Sequence, residues 1–153
     1  MSRVILRSIL FALMLPFIFA AHLHGACSVT SAGFNFGEYF FSGDPHDTTG
    51  QITVSCNEDV PSVSIAAGVS SHTGQFDKRK MKHTTANEYI SYNLYGYNYY
   101  LIWGDGKYPG TLTLTGPVTK GLPANFTVCG RIYGNQDPLI GTYTDTLVVT
   151  VTW

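Results

Sequence analysis

Three cysteines, Cys27, Cys56 and Cys129, are the residues best placed for covalent chemistry in this chain of 153 residues. They form no CxxC pair, so a redox dithiol or a zinc site is unsupported, and an odd number implies one bridge plus a spare thiol, or a bond to another chain. Parity selects the bridge. In Gln51 to Cys56 (QITVSC), the residues Ile52, Val54 and Cys56 share an apolar face. In Asn125 to Gly134 (NFTVCGRIYG) the apolar set is Phe126, Val128 and Ile132, which leaves Cys129 on the other face with Thr127 and Arg131. Cys27 is therefore expected to bond Cys56, contributing roughly 3 to 4 kcal/mol in the loop-entropy model, with Cys129 as the spare.

Other chemistry has thin support. No GxSxG occurs and no histidine stands in a nucleophile–base arrangement. Asp105, Asp137 and Asp145 fall in turns or at strand starts, where Asp commonly accepts from backbone amides. Asp44, His46 and Asp47 crowd one loop, with His72 and His83 elsewhere, and loop polarity explains them as well as a metal would. No catalytic group, cofactor or metal is expected, and the chain reads as a non-enzyme. Aromatic residues are more suggestive. Tyr89 to Trp103 (YISYNLYGYNYYLIW) carries six tyrosines. Alternation turns Ile90, Tyr92 and Leu94 inward and Tyr89 and Tyr95 outward. Tyr89, Tyr95 and Trp103 are thus candidates for stacking on a sugar, set against the plainer reading that the rings only cover a sheet.

The elements that would hold these residues are strands. No stretch sustains a helical period, and short runs of period two alternate with Gly, Pro, Asn and Asp. Strands are expected at Cys27 to Gly37, Gly50 to Cys56, Pro61 to Gly68, Glu88 to Gly96, Gly110 to Gly116, Ala124 to Gly134 and Tyr143 to Trp153. About seven short strands without a helix point to an all-β sandwich in one domain, residues 27–153. The polar stretch Ser71 to Asn87 contains the basic run Lys78, Arg79, Lys80, Lys82 and His83, read as a solvated loop, with a docking patch for an anionic partner as the alternative. Tyr143 and Asp145 resemble the corner tyrosine region of immunoglobulin-like domains and are expected to be structural.

The start of the chain reads as an export signal. Arg3 and Arg7 precede the apolar run Ile9 to Ala21, which is too short to span a bilayer comfortably and contains Pro16. A signal peptide is expected over residues 1–26, cleaved between 20 and 26, with no stable membrane insertion afterwards. Removing it leaves seven basic residues against ten acidic ones, a formal charge of about −3. That balance offers no footprint for nucleic acid.

In order and spacing, several pieces together resemble the spore coat protein U domain family, which also builds the Csu-type (archaic chaperone–usher) pili. They are CSV at Cys27, FNFGEY at Phe34, GQITVSC ending at Cys56, RKM at Arg79, ISYNLY at Ile90, WGDG at Trp103, FTVCGRI at Phe126 and the final GTYTDTLVVTVTW. The resemblance implies an immunoglobulin-like β-sandwich lacking its last strand, completed in trans by a strand from a periplasmic pilus chaperone and then by a neighbouring pilin-like subunit at an outer-membrane usher. Such strand addition is a general mode of recognition. The last run, Leu147, Val149, Val151 and Trp153, is then the expected acceptor groove. Two departures accompany the resemblance. Few residues precede Cys27 after cleavage, at most about 17 Å of chain, which suits a terminal subunit that accepts a strand without giving one; and an aromatic is expected where Cys129 stands. The alternatives are a carbohydrate-binding tip adhesin and a free secreted coat protein that needs no chaperone.

Overall fold

The structure, a computed structural model, describes residues 26–31 and 34–153. The expected signal peptide, apart from Ala26, lies outside the described residues. Eleven strands make the fold among them: β1 Cys27–Ser31, β2 His46–Cys56, β3 Val60–Ala67, β4 Lys80–His83, β5 Tyr89–Gly96, β6 Leu101–Trp103, β7 Thr111–Leu112, β8 Leu114–Val118, β9 Ala124–Ile132, β10 Tyr143–Thr144 and β11 Val149–Thr152. The larger sheet runs β1-β2-β9-β5-β4-β10, with β6 beside β5 and β7 beside β6, and the smaller runs β11-β3-β8. All pairings are antiparallel except β6 with β7. The all-β sandwich expected from the sequence is the observed architecture.

Alternation explains the core. Ile52 and Val54 of β2, Val63 and Ile65 of β3, Ile90, Tyr92 and Leu94 of β5, and Phe126, Val128 and Ile132 of β9 are buried between the sheets. Two breaks have a proline at the point where the ladder is interrupted or unpaired. The β3–β8 register shifts between Val60 and Val63, around Pro61, which has no amide proton to donate. Pro117 sits in β8, which is an edge strand.

Four expected elements differ from the observed ones. The first strand ends at Ser31, and residues 34–37 form no strand. Phe34 lies so close over Gly50 and Gly130 that a Cβ at either glycine would strike its ring, and Phe36 meets Tyr92 edge-on at 5.6 Å. The FNFG segment therefore drops its aromatic rings onto the sheet instead of extending it. The expected strand at 110–116 is two strands, β7 in the large sheet and β8 in the small one, so the chain changes layer at Thr113. The terminal run divides likewise, β10 in the large sheet and β11 in the small one, with residues 145–148 crossing between them. The basic run is only partly a solvated loop. Lys78 is exposed in a bend, whereas Lys80–His83 form β4, and Arg79, Met81 and His83 are buried. Lysine-rich composition masked a period of two that Met81 and His83 keep.

Candidate functional site

Where the chain crosses from β10 to β11, polar side chains fix the path. Asp145 accepts hydrogen bonds from Tyr92 Oη at 2.8 Å, Ser71 Oγ at 2.6 Å and the backbone amides of Ser71 and Thr146 at 3.1 and 2.8 Å. Burial pushes the Asp145 carboxyl upward, but these bonds outweigh it and hold its pKa below the usual carboxylate range. Burial, and donation to Asp145, raise the Tyr92 hydroxyl well above its ordinary value. Tyr143 Oη donates to Leu139 O at 2.9 Å, four residues upstream, which is the corner arrangement expected of it.

Beneath the crossing lies Arg79, 0% exposed. Its Nη1 donates to Asn93 Oδ1 at 2.8 Å, and Nη2 donates to Gly68 O at 2.7 Å and Trp103 O at 2.8 Å. Desolvation lowers the guanidinium pKa, opposed by the nearby Tyr92 and Asp145, yet an arginine stays charged in a protein. Its three acceptors come from residues 68, 93 and 103, so one buried cation ties the loop after β3 to β5 and β6. The RKM motif carried this signal; read as surface charge, it was missed.

Beside the crossing is a cavity of 370 Å³ that reaches the core at Phe36, Ile52, Leu94, Trp103 and Val128 and takes Leu147 and Val149 into its wall. The four residues expected to line one groove do not behave alike. Leu147 and Val151 are partly buried and pack on the core, Val149 is 37% exposed, and Trp153 is 52% exposed. Val149 stands opposite Ala67 and Val151 opposite Ile65, and among the described residues β11 pairs with β3 alone. Its other edge presents backbone groups and its inner side a gap in the packing.

The aromatic candidates are separated. Trp103 is 3% exposed and its Nε1 donates to Ile65 O at 2.9 Å, which makes it a core residue and not a stacking platform on the outer surface. Tyr95 is also buried, its hydroxyl on that of Tyr133 at 3.0 Å. Only Tyr89 of the three presents its ring to solvent. Alternation placed Tyr95 on the outer face correctly, but Tyr99 and Tyr133 cover it there. The Asp44, His46 and Asp47 group does not converge either: His46 Nε2 lies 2.6 Å from Phe36 O, and Asp47 forms a bidentate pair with Arg131 at 2.7 Å. Cys27 and Cys56 are bonded, and Cys129 is a free, buried thiol.

Comparison with known proteins fixes the family. The model of the Spore Coat Protein U domain matches residues 14–150. The chain belongs to the Spore Coat Protein U domain family. Protein U of Myxococcus xanthus is 29% identical over 152 residues, a span of 87% of this chain and 80% of that protein. Among solved structures, the crystal structure of the CsuC–CsuE chaperone–tip adhesion subunit pre-assembly complex, from the archaic chaperone–usher Csu pili of Acinetobacter baumannii, superposes with a TM-score of 0.57 at 21% identity. That match covers 85% of this chain and 40% of the solved one, so this chain spans well under half the length of its neighbour. The Hda pilus minor tip subunit HdaB of Escherichia coli gives a TM-score of 0.45 at 13% identity, over 81% of this chain and 79% of that one.

Proposed function

We propose that this chain is an exported, non-enzymatic assembly subunit of a surface pilus or coat, whose working surface is the open edge of β11. Residues 1–26 act as the signal peptide, and the domain that follows passes through the periplasm to the cell surface. There a periplasmic pilus chaperone, and after it a neighbouring pilin-like subunit delivered at an outer-membrane usher, lays a β-strand along β11. The strand sends alternate apolar side chains into the gap bordered by Leu147 and Val149, and runs on past Val151 and Trp153.

One observation carries this reading: a strand that, among the described residues, has a partner on one side only, next to a 370 Å³ opening into the core. An edge of this kind is a pairing template for another chain and an aggregation hazard until covered. Covering several hundred Å² of apolar wall yields on the order of 10 kcal/mol before ordering costs, enough to drive assembly with no chemistry at all. Family membership and the likeness in fold to a chaperone-bound tip subunit support the same reading.

Expression in a bacterial periplasm with and without an archaic-type pilus chaperone tests it. The expected result is a large gain in soluble yield and co-purification of the chaperone, both lost in Val149→Asp. Equal yield without the chaperone, as a free secreted coat protein would give, contradicts it.

A further inference from the structure

β4 sorts its side chains by parity. With Arg79, Met81 and His83 turned inward, Lys80 and Lys82 stand on the outer face, and Lys78 is exposed in the bend just before the strand begins. Alternate residues of a strand are about 6.8 Å apart. Both ammonium groups lie over the ring of Tyr89 on the neighbouring strand β5, 5.9 Å from its centroid for Lys80 and 5.8 Å for Lys82. The His72 ring meets the edge of the same tyrosine at 6.0 Å, and Tyr89 is 38% exposed. Backbone bonding makes the base rigid: Lys80 N and O both bond the hydroxyl of Ser70, at 3.4 and 3.3 Å.

The charge here is unbalanced. Three of the five lysines of the whole chain fall within residues 78–82, although the chain after its leader is acidic. Among the described residues His72 lies 3.8 Å from Asp145 and Arg131 pairs with Asp47, and neither Lys80 nor Lys82 has an acid within ion-pair distance. The buried Arg79 explains why this strand must exist, but nothing in the packing requires its outer positions to be lysines around an exposed aromatic ring.

We propose that this face binds a linear acidic polysaccharide, with sugar carboxylates against Lys80 and Lys82 and a sugar face against the open part of the Tyr89 ring. The surroundings favour this occupant over other anions. β4 is hydrogen-bonded on both sides, to β5 and to β10, so an acidic peptide cannot add as a strand and would be held by side chains alone. Three lysines fall short of the clusters of about four to eight that bind anionic lipid surfaces. A ring flanked by cations suits a ligand that carries both an apolar ring face and negative charge. None of these residues borders the β11 opening, so the inference goes beyond the proposed strand acceptance and stands or falls separately from it.

The test is binding of the exported chain, purified with its chaperone where one is needed, to immobilised polygalacturonate, with dextran, poly-glutamate and anionic phosphatidylglycerol vesicles as comparators. Expected is binding to polygalacturonate that weakens with salt, little to dextran, and clearly less to poly-glutamate and to vesicles. Lys80→Gln with Lys82→Gln should weaken it about tenfold, two contacts within the range for exposed charges. Tyr89→Leu should weaken it about threefold while leaving the salt dependence unchanged, and Lys107→Gln with Lys120→Gln, the same change of charge elsewhere, should have no effect. Equal binding to poly-glutamate or vesicles, indifference to Tyr89→Leu, or a matching loss in the Lys107/Lys120 variant would overturn the proposal, as would no binding at physiological salt. Thermal melting of each variant separates lost binding from lost folding.

Discussion

Two short strands, β4 and β11, have similar alternating patterns and opposite surroundings. β4 is paired on both sides and rests on a buried guanidinium whose bonds reach three separate segments. Among the described residues β11 has one partner, with a cavity at its inner side and exposed apolar residues in and beside it at Val148, Val149 and Trp153. The contrast shows that alternation states which side chains share a face and says nothing about whether the strand has neighbours. β4 looked polar and is locked in; β11 looked like core and is half open.

The largest effect expected is at the locked end. Arg79→Met should cost about 4 kcal/mol in urea denaturation, because Gly68 O and Trp103 O lose the guanidinium donor within the core and Asn93 Oδ1 keeps only the Leu94 amide. A cost below about 1 kcal/mol would mean that the comparison overstates how firmly β4 is held. Replacing Cys27 and Cys56 by serine should cost about 3 kcal/mol and free β1 from the end of β2, read by the same denaturation under oxidising conditions.

The crossing between the two strands gives an intermediate effect with a pH signature. Because the folded Asp145 pKa lies below its unfolded value, its contribution is fully present above the usual carboxylate range and is lost as pH falls through that range toward the folded value. Stability curves against pH should therefore decline on acidification. Asp145→Asn should remove about 1 to 2 kcal/mol near neutrality and flatten that decline. An unchanged slope would take Asp145 out of the account. The smallest effect belongs to the open end. Val149→Thr should change the stability of the uncomplemented chain by no more than about 0.5 kcal/mol, since the side chain is already partly in water.

Much of this was legible in the residues. Parity alone assigned the Cys27–Cys56 bond and the inward face of β5, because a one-residue slip would have moved every apolar side chain to solvent. Other features were not, for reasons of the same kind. The layer changes at Thr113 and after Thr144 leave no mark on a period-two pattern, since each half continues to alternate in its new sheet. Trp103 stood as a stacking candidate because short β6 has too few residues to show its parity, and its indole is fixed by a carbonyl, Ile65 O, far away in sequence. The buried Arg79 was hidden by its neighbours, as a cation between lysines reads as surface until Met81 and His83 are counted with it.

Strand acceptance at β11 is tested most directly by supplying the strand. A segment of alternating apolar residues, fused behind Trp153 through a flexible linker, should fold along β11, raise the unfolding free energy by several kcal/mol and slow amide exchange at Val149–Thr152 many fold. If the unfused chain already protects those amides as strongly as β3, and the fused segment adds neither stability nor protection, β11 is not an acceptor and the assembly role fails with it.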